Sequence, residues 1–147
     1  MNPDFVEMLA ALHAAGAEYL IVGAHALAAH GRPRATGDLD IWVRPSAANA
    51  HRVYAALRHF GAPLHDLTEP ELTSADLVFQ IGVPPARIDI LTSISGVTFD
   101  ECWDGRITVP ISELPVTVIG RSCLIRNKRA SGRKRDLADL EALGEEG

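Results

Sequence analysis

The sequence predicts an α+β fold built on a mixed, mostly antiparallel sheet, with helices packed on one side and a short helical tail. Three observations carry this. Short β-branched apolar runs are interspersed with helix-period segments, two of the runs are close enough to form a hairpin, and no internal repeat or linker divides the chain. With 147 residues, 47% apolar and 22% charged, the chain can fill one core but not two ordinary ones, and it is neither disordered nor fibrous in composition. It is read as a single domain over 1–147, with a core of about 17–120 and a tail from 121. The net charge of −5 excludes a protein that wraps nucleic acid with its whole surface, although a local basic patch remains open. No run approaches the ~20 apolar residues of a membrane span, and the start lacks the order of an export signal. The expectation is a cytoplasmic protein without membrane association, with Cys102 and Cys123 as two reduced thiols in no metal or redox spacing.

The elements follow in order. Asn2-Pro3 reads as an N-cap and first helical position ahead of Phe5, Met8, Leu9 and Leu12 on one face, with Gly16 ending the helix. Glu18 to Gly23 is a buried-strand run, and Ala24 to Ala29 suits a short helix stopped by Gly31 and Pro33. Residues 31–37 are loop by composition. Asp38-Leu39-Asp40-Ile41-Trp42-Val43 alternates with the period of a half-buried strand. Ser46 caps a helix running to about Phe60, its inner face carrying Val53, Tyr54 and Leu57, and Gly61 follows. Residues 61–76 read as loop and turn. Leu77 to Gly82 and Arg87 to Leu91 form an antiparallel hairpin around Val83-Pro84-Pro85-Ala86. Thr98 caps a turn of helix through Trp103, short strands follow at Arg106 to Val109 and Val116 to Ile119, and two short helices break around Ser131-Gly132.

Chemistry concentrates in three acids. Asp38 and Asp40 stand two apart on one strand, so both carboxylates face one side of the sheet and repel each other. Asp89 interrupts the apolar Ile88-Asp89-Ile90-Leu91, where an unpaired charge is costly. Mg²⁺ prefers a few carboxylates together with substrate phosphate oxygens, and three acids can hold two such ions for an in-line phosphoryl displacement. Blander roles compete: Asp38 as a turn cap, Asp40 paired with Arg32, Arg34 or Arg44, and Asp89 on an edge strand facing water. Gly23 allows a close backbone approach to phosphate, and the amides from Ala24 onward lie at a helix start. His25 beside them is either a phosphate contact or, more simply, an exposed helix-start histidine. Arg34, and less so Arg32, suits phosphate by its planar fork of donors. Trp42, Trp103 and Tyr54 read as packing rather than as stacking platforms for bases.

The segment Val22-Gly23-Ala24, thirteen residues, then Asp38-Leu39-Asp40-Ile41, with Arg87-Ile88-Asp89-Ile90-Leu91 further on, resembles the signature of the polymerase-β-like nucleotidyltransferase superfamily. Gly31-Arg32-Pro33-Arg34-Ala35-Thr36-Gly37-Asp38-Leu39-Asp40 and the tail from Lys128 through Arg135-Asp136 to Asp139 look most like the small AbiEii-type toxin enzymes of that group. The resemblance implies a nucleotidyltransferase fold, Asp38, Asp40 and Asp89 as catalytic and metal-holding acids, and Lys128 reaching the nucleotide phosphates. It further implies that Asp136 or Asp139 orders the basic residues, against a plain reading of these acids as a solvated helix face. Ala24 departs from the Ser or Gly of many members, which removes a hydroxyl donor but leaves the backbone donors.

The expected function is Mg²⁺-dependent transfer of a nucleoside monophosphate from an NTP to an acceptor hydroxyl. The resemblance suggests an RNA or tRNA 3′ end or a protein as acceptor and a toxin–antitoxin setting with a cognate antitoxin. The short chain, nearly all of it used by the catalytic core, leads to the expectation that a homodimer or other partner lends acceptor surface. Two rivals stand beside it: a small-molecule modifier of the aminoglycoside-adenylating kind, and a catalytically weak nucleotide- or partner-binding module. Of the 14 Lys and Arg, seven fall in residues 121–135, which hold no acid, so a mildly acidic chain conceals a basic segment suited to triphosphate or RNA.

Overall fold

Local signals set most of the element boundaries. In the computed structural model, which describes residues 1–32 and 37–144, the Asn2 side chain accepts the Asp4 amide at 2.8 Å and opens α1 (Pro3–Ala14). β1 (Tyr19–Val22) is buried at all four positions, so both its faces are covered. α2 (Gly23–Ala29) follows without a break, and β2 (Leu39–Val43) is the expected strand but not half-buried, since every position except Asp40 is buried and both its faces are covered. α3 (Ala47–Phe60) starts on the Ser46 hydroxyl and ends on Gly61 at φ 91°, a left-handed cap that suits glycine. Thr68 and Glu71 form a capping box for a 3₁₀ turn, Glu69–Thr73, inside the stretch expected to be loop. β3 (Val78–Ile81) and β4 (Ile88–Leu91) form the expected hairpin, and Thr98 caps α4 (Phe99–Asp104). α5 (Arg121–Ser131) and α6 (Lys134–Ala142) flank Gly132 at φ 63°.

One hairpin departs from the sequence reading. β5 (Ile107–Ile111) and β6 (Leu114–Val118) run through Pro110 and Pro115, which face each other, so the strands extend beyond the expected limits at Val109 and Val116. Proline is tolerated there because β5 is an edge strand and β6 meets β1 only near Val118. Ser112 and Glu113 close the turn with φ of 50° and 68°, the left-handed pair that a two-residue hairpin demands and that Asn-Gly usually supplies.

The six strands lie in the order β3-β4-β2-β1-β6-β5. The β1–β2, β3–β4 and β5–β6 pairs are antiparallel, while β2–β4 and β1–β6 are parallel. α1 packs on α3, and one apolar cluster joins them to the central strands. On β2, Trp42 shares a face with Asp40, and its ring meets Phe99 of α4 edge-on at 5.1 Å. Phe99 stacks in turn on Trp103 at 5.6 Å, so these aromatics serve packing. Buried Asn49 clamps three backbone groups: its Oδ1 accepts the Glu18 amide (2.7 Å), and its Nδ2 donates to the Glu18 and Arg44 carbonyls (2.9 and 3.0 Å).

The cysteines correct the sequence reading. Cys102 of α4 and Cys123 of α5 are joined as a disulfide with a Cα–Cα distance of 5.8 Å. They lie 21 residues apart in the chain, on two helices that the fold brings together at this point, a proximity that no spacing rule encodes. No helix among the described residues is long and apolar enough to cross a membrane.

Candidate active site

Strand register assembles the site. Val22 pairs with Asp40 across β1 and β2, and Asp40 pairs with Asp89 across β2 and β4. Register partners point to the same side of a sheet, so the two carboxylates stand side by side. Asp38, two residues before Asp40, joins them in one cavity of about 160 Å³. Two glycines fit the chain around these acids. At Gly37 a Cβ would overlap the Pro85 carbonyl, so the lead-in to β2 lies flat against the β3–β4 turn. At Gly23, φ is 69° and a Cβ would overlap the Asp40 carboxylate. The glycine expected to admit phosphate therefore makes room first for Asp40.

Crowding sets the electrostatics. Burial raises the Asp40 carboxyl to about 6, with further lift from the charge of Asp89, a hydrogen bond shared with it and the charge of Asp38, against a smaller downward pull from Arg135. Asp89 is only 7% exposed, which rules out the water-facing edge-strand reading. The Arg87 guanidinium grips it with Nε at 2.8 Å from Oδ1 and Nη2 at 3.2 Å from Oδ2. The same guanidinium lies 3.4 Å from Asp38 Oδ2, and the Arg87 amide donates to Asp38 Oδ1 at 3.1 Å. Arg44 is committed elsewhere, to Glu18 (3.0 Å) and Asp100, so it is not the partner of Asp40.

The opposite wall comes from α5 and α6. Lys128 is 4% exposed, with Nζ 2.9 Å from Asp139 and 3.5 Å from Asp136. Both acids are buried, so Asp139 is no solvated helix acid. Burial pushes the Asp136 carboxyl up, but hydrogen bonds from Ser131 and Arg133 and the charges of Arg133 and Lys128 outweigh it and hold the group at about 2. Ser131 Oγ donates to Asp136 at 2.5 Å and Arg133 Nε at 2.8 Å. Arg133, Arg135, Lys128 and Asp136 line the cavity opposite the three aspartates. A wider groove adjoins it, walled by Leu91, Ile94, Asn127 and Ala130.

Gly23, Ala24, Asp38, Asp40, Asp89 and Lys128 all reach this one cavity. Arg34 lies outside the described residues, and Arg32 is exposed. His25 is neither exposed nor at the cavity: its ring sits edge-on to Phe5 at 5.7 Å, and its Nε2 is buried without a hydrogen-bond partner among the described residues. Sequence reasoning did not single out Arg87, Arg133 or Arg135. The signal for Arg87 was present, since it precedes Asp89 by two residues and shares its side of the strand, and both arginines of α6's start belong to the basic segment.

Mg²⁺ is the cofactor expected here, and the donors suit it. They are hard carboxylate oxygens, crowded enough that Asp40 holds its proton up to about 6. Among the described residues no three acid, histidine or cysteine side chains form a ready-made cage. That is compatible with an ion that takes one or two carboxylates and completes its shell with water and phosphate oxygens.

No family model matches the chain, and no curated protein matches it either. Among solved structures it is similar to a "putative nucleotidyltransferase" from Thermotoga maritima, at 12% identity and a TM-score of 0.59, over 98% of this chain and 92% of that one. The chain thus has a nucleotidyltransferase-like fold.

Proposed function

We propose that this protein is a nucleotidyltransferase that moves a nucleoside monophosphate from an NTP to an acceptor hydroxyl. The observation that carries the reading is the register pairing of Asp40 with Asp89, beside Asp38, in a cavity whose facing wall is Lys128, Arg133 and Arg135. Acids on one side and cations on the other are what a metal-bound polyphosphate requires, and the Thermotoga maritima neighbour supports the fold. The acceptor oxygen attacks the α-phosphorus, the bond from that phosphorus to the bridging oxygen of the β-phosphate breaks, and pyrophosphate leaves. The hydroxyl proton passes to a carboxylate of the site. Asp38, Asp40 and Asp89 would hold Mg²⁺, which when bound lowers the pKa of the attacking hydroxyl and neutralises charge on the phosphoryl oxygens. Lys128, fixed by Asp136 and Asp139, and the Arg133 and Arg135 guanidinia hold the phosphates. The acceptor in this reading is an RNA or tRNA 3′ end or a protein hydroxyl, and the tail's resemblance to AbiEii-type toxins motivates a toxin role with an antitoxin partner.

A nucleotide-binding module without transfer is the second reading. Ala24 in place of a hydroxyl donor, and Arg87 closed onto two of the three acids, favour it. Purified protein incubated with Mg²⁺, each labelled NTP and total tRNA or cell extract separates the two. The enzyme reading expects label transfer that EDTA abolishes and that Asp38→Asn or Asp40→Asn lowers at least about a hundredfold. Nucleotide binding without transfer selects the module, and transfer surviving both substitutions overturns the metal-site assignment.

A further inference from the structure

The half-buried Arg87 side chain places a positive charge where the proposed reading needs a metal ion. Its guanidinium occupies both oxygens of Asp89 (2.8 and 3.2 Å) and approaches Asp38 at 3.4 Å. A bidentate contact of this kind is among the stronger ion pairs, and breaking it without a replacement leaves buried charge uncompensated. Asp40, by contrast, is crowded by the charges of Asp89 and Asp38, with the pull of Arg135 against them among the described residues. The main-chain amide of Arg87 already holds Asp38 (3.1 Å), and β4 is paired on both sides, so the fold does not depend on the guanidinium to keep this corner closed. A planar fork suited to carboxylates is equally suited to phosphate.

We propose that Arg87 is a resident counter-ion: it neutralises Asp38 and Asp89 while the site is empty of metal, and exchanges those carboxylates for substrate phosphate when metal and nucleotide arrive. Arg87 would thus contact the substrate itself, opposing metal and favouring polyphosphate through one side chain. Metal alone then binds weakly, and polyphosphate strengthens its binding by receiving the guanidinium. The inference rests on the nucleotidyltransferase reading.

Two titrations of the full-length chain test it, neither requiring turnover. Mn²⁺ binding is followed by electron paramagnetic resonance, and inorganic tripolyphosphate binding in EDTA by calorimetry. Arg87→Gln is expected to tighten Mn²⁺ by about tenfold and to weaken tripolyphosphate several-fold. A purely structural role would not shift the two in opposite directions. Arg135→Gln, which removes a cation acting on Asp40 through space, is expected to change Mn²⁺ affinity less than about threefold. If Arg87→Gln fails to fold, Arg87→Lys keeps the charge without the fork and is expected to shift both affinities the same way by smaller factors. The counter-ion role is overturned, and the metal site left standing, if Mn²⁺ binding is lost in Asp40→Asn yet no tighter in Arg87→Gln, or if Arg135→Gln tightens it as much. If neither wild type nor Arg87→Gln binds Mn²⁺, the counter-ion role and the metal-dependent reading fall together.

Discussion

Asp40 is a carboxylate that the fold holds against its own preference. Its folded pKa of about 6 lies above the ordinary 3.8, so the native state binds more protons than the unfolded chain between those values. Stability therefore falls as pH rises from about 4 to about 6, and stays lower above that. Asp40→Asn is expected to stabilise the metal-free protein by about 1–2 kcal/mol at pH 7.5 and to flatten the slope over that window, while lowering transfer at least about a hundredfold. Urea unfolding in EDTA at pH 4, 5, 6 and 7.5 checks this, and a steeper slope in the variant would sink it. Gly23 shows the same crowding from the other side. Gly23→Ala places a side chain at φ 69° against the Asp40 carboxylate, which should cost about 1–3 kcal/mol and disable the site together. A thermal melt with an activity assay reads both. The glycine was legible in the sequence because a glycine between a strand and a helix is conspicuous. Its reason was not, since the neighbour it accommodates is seventeen positions away in the chain and adjacent only through strand register.

Among the elements, the α5–α6 pair is held by buried charge rather than by apolar area alone. Lys128 answers both Asp136 and Asp139, so Lys128→Met removes the buried cation they share, leaves Ser131 and Arg133 on Asp136, and is expected to cost about 3 kcal/mol in urea unfolding. Asp136 sits at about 2, below its ordinary 3.8. Its contribution is present above about pH 4 and is lost as pH falls towards 2. Asp136→Asn should accordingly flatten the acid limb of the stability profile, and a limb unchanged from wild type would count against the network. Two acids three apart on a helix share a face, and the sequence shows that much. Which face turns inward is decided by a lysine on another helix, and that is why Asp139 read as solvated. The disulfide between α4 and α5 escaped for the same reason. It closes a loop of 21 residues, and replacing both cysteines with serine should lower stability by about 3 kcal/mol, measured by urea unfolding without reductant. Helix caps at Asn2, Ser46 and Thr98 were readable because they act within four residues, as was the β3–β4 hairpin.

At the scale of the whole molecule, the strand order β3-β4-β2-β1-β6-β5 lies beyond local reading, because parallel neighbours such as β2 and β4 are joined through a long intervening segment. The charge segregation was visible, and the fold gives it a consequence. The basic segment folds back so that Lys128, Arg133 and Arg135 face the acids of β2 and β4, while the chain as a whole carries −5. Net charge and local field therefore oppose each other for a polyphosphate ligand. Replacing Arg133 and Arg135 with glutamine removes two cavity charges, whereas replacing Arg52 and Arg58, exposed on α3, makes the same change in net charge away from it. If the local field governs, tripolyphosphate affinity at 50 mM KCl falls about tenfold in the first pair and less than about twofold in the second. The gap should narrow at 500 mM KCl, where the screening length drops to about 4 Å and only direct contacts persist. Equal weakening by the two pairs would mean that net charge, not the placement of α5 and α6, controls how the cavity meets its ligand.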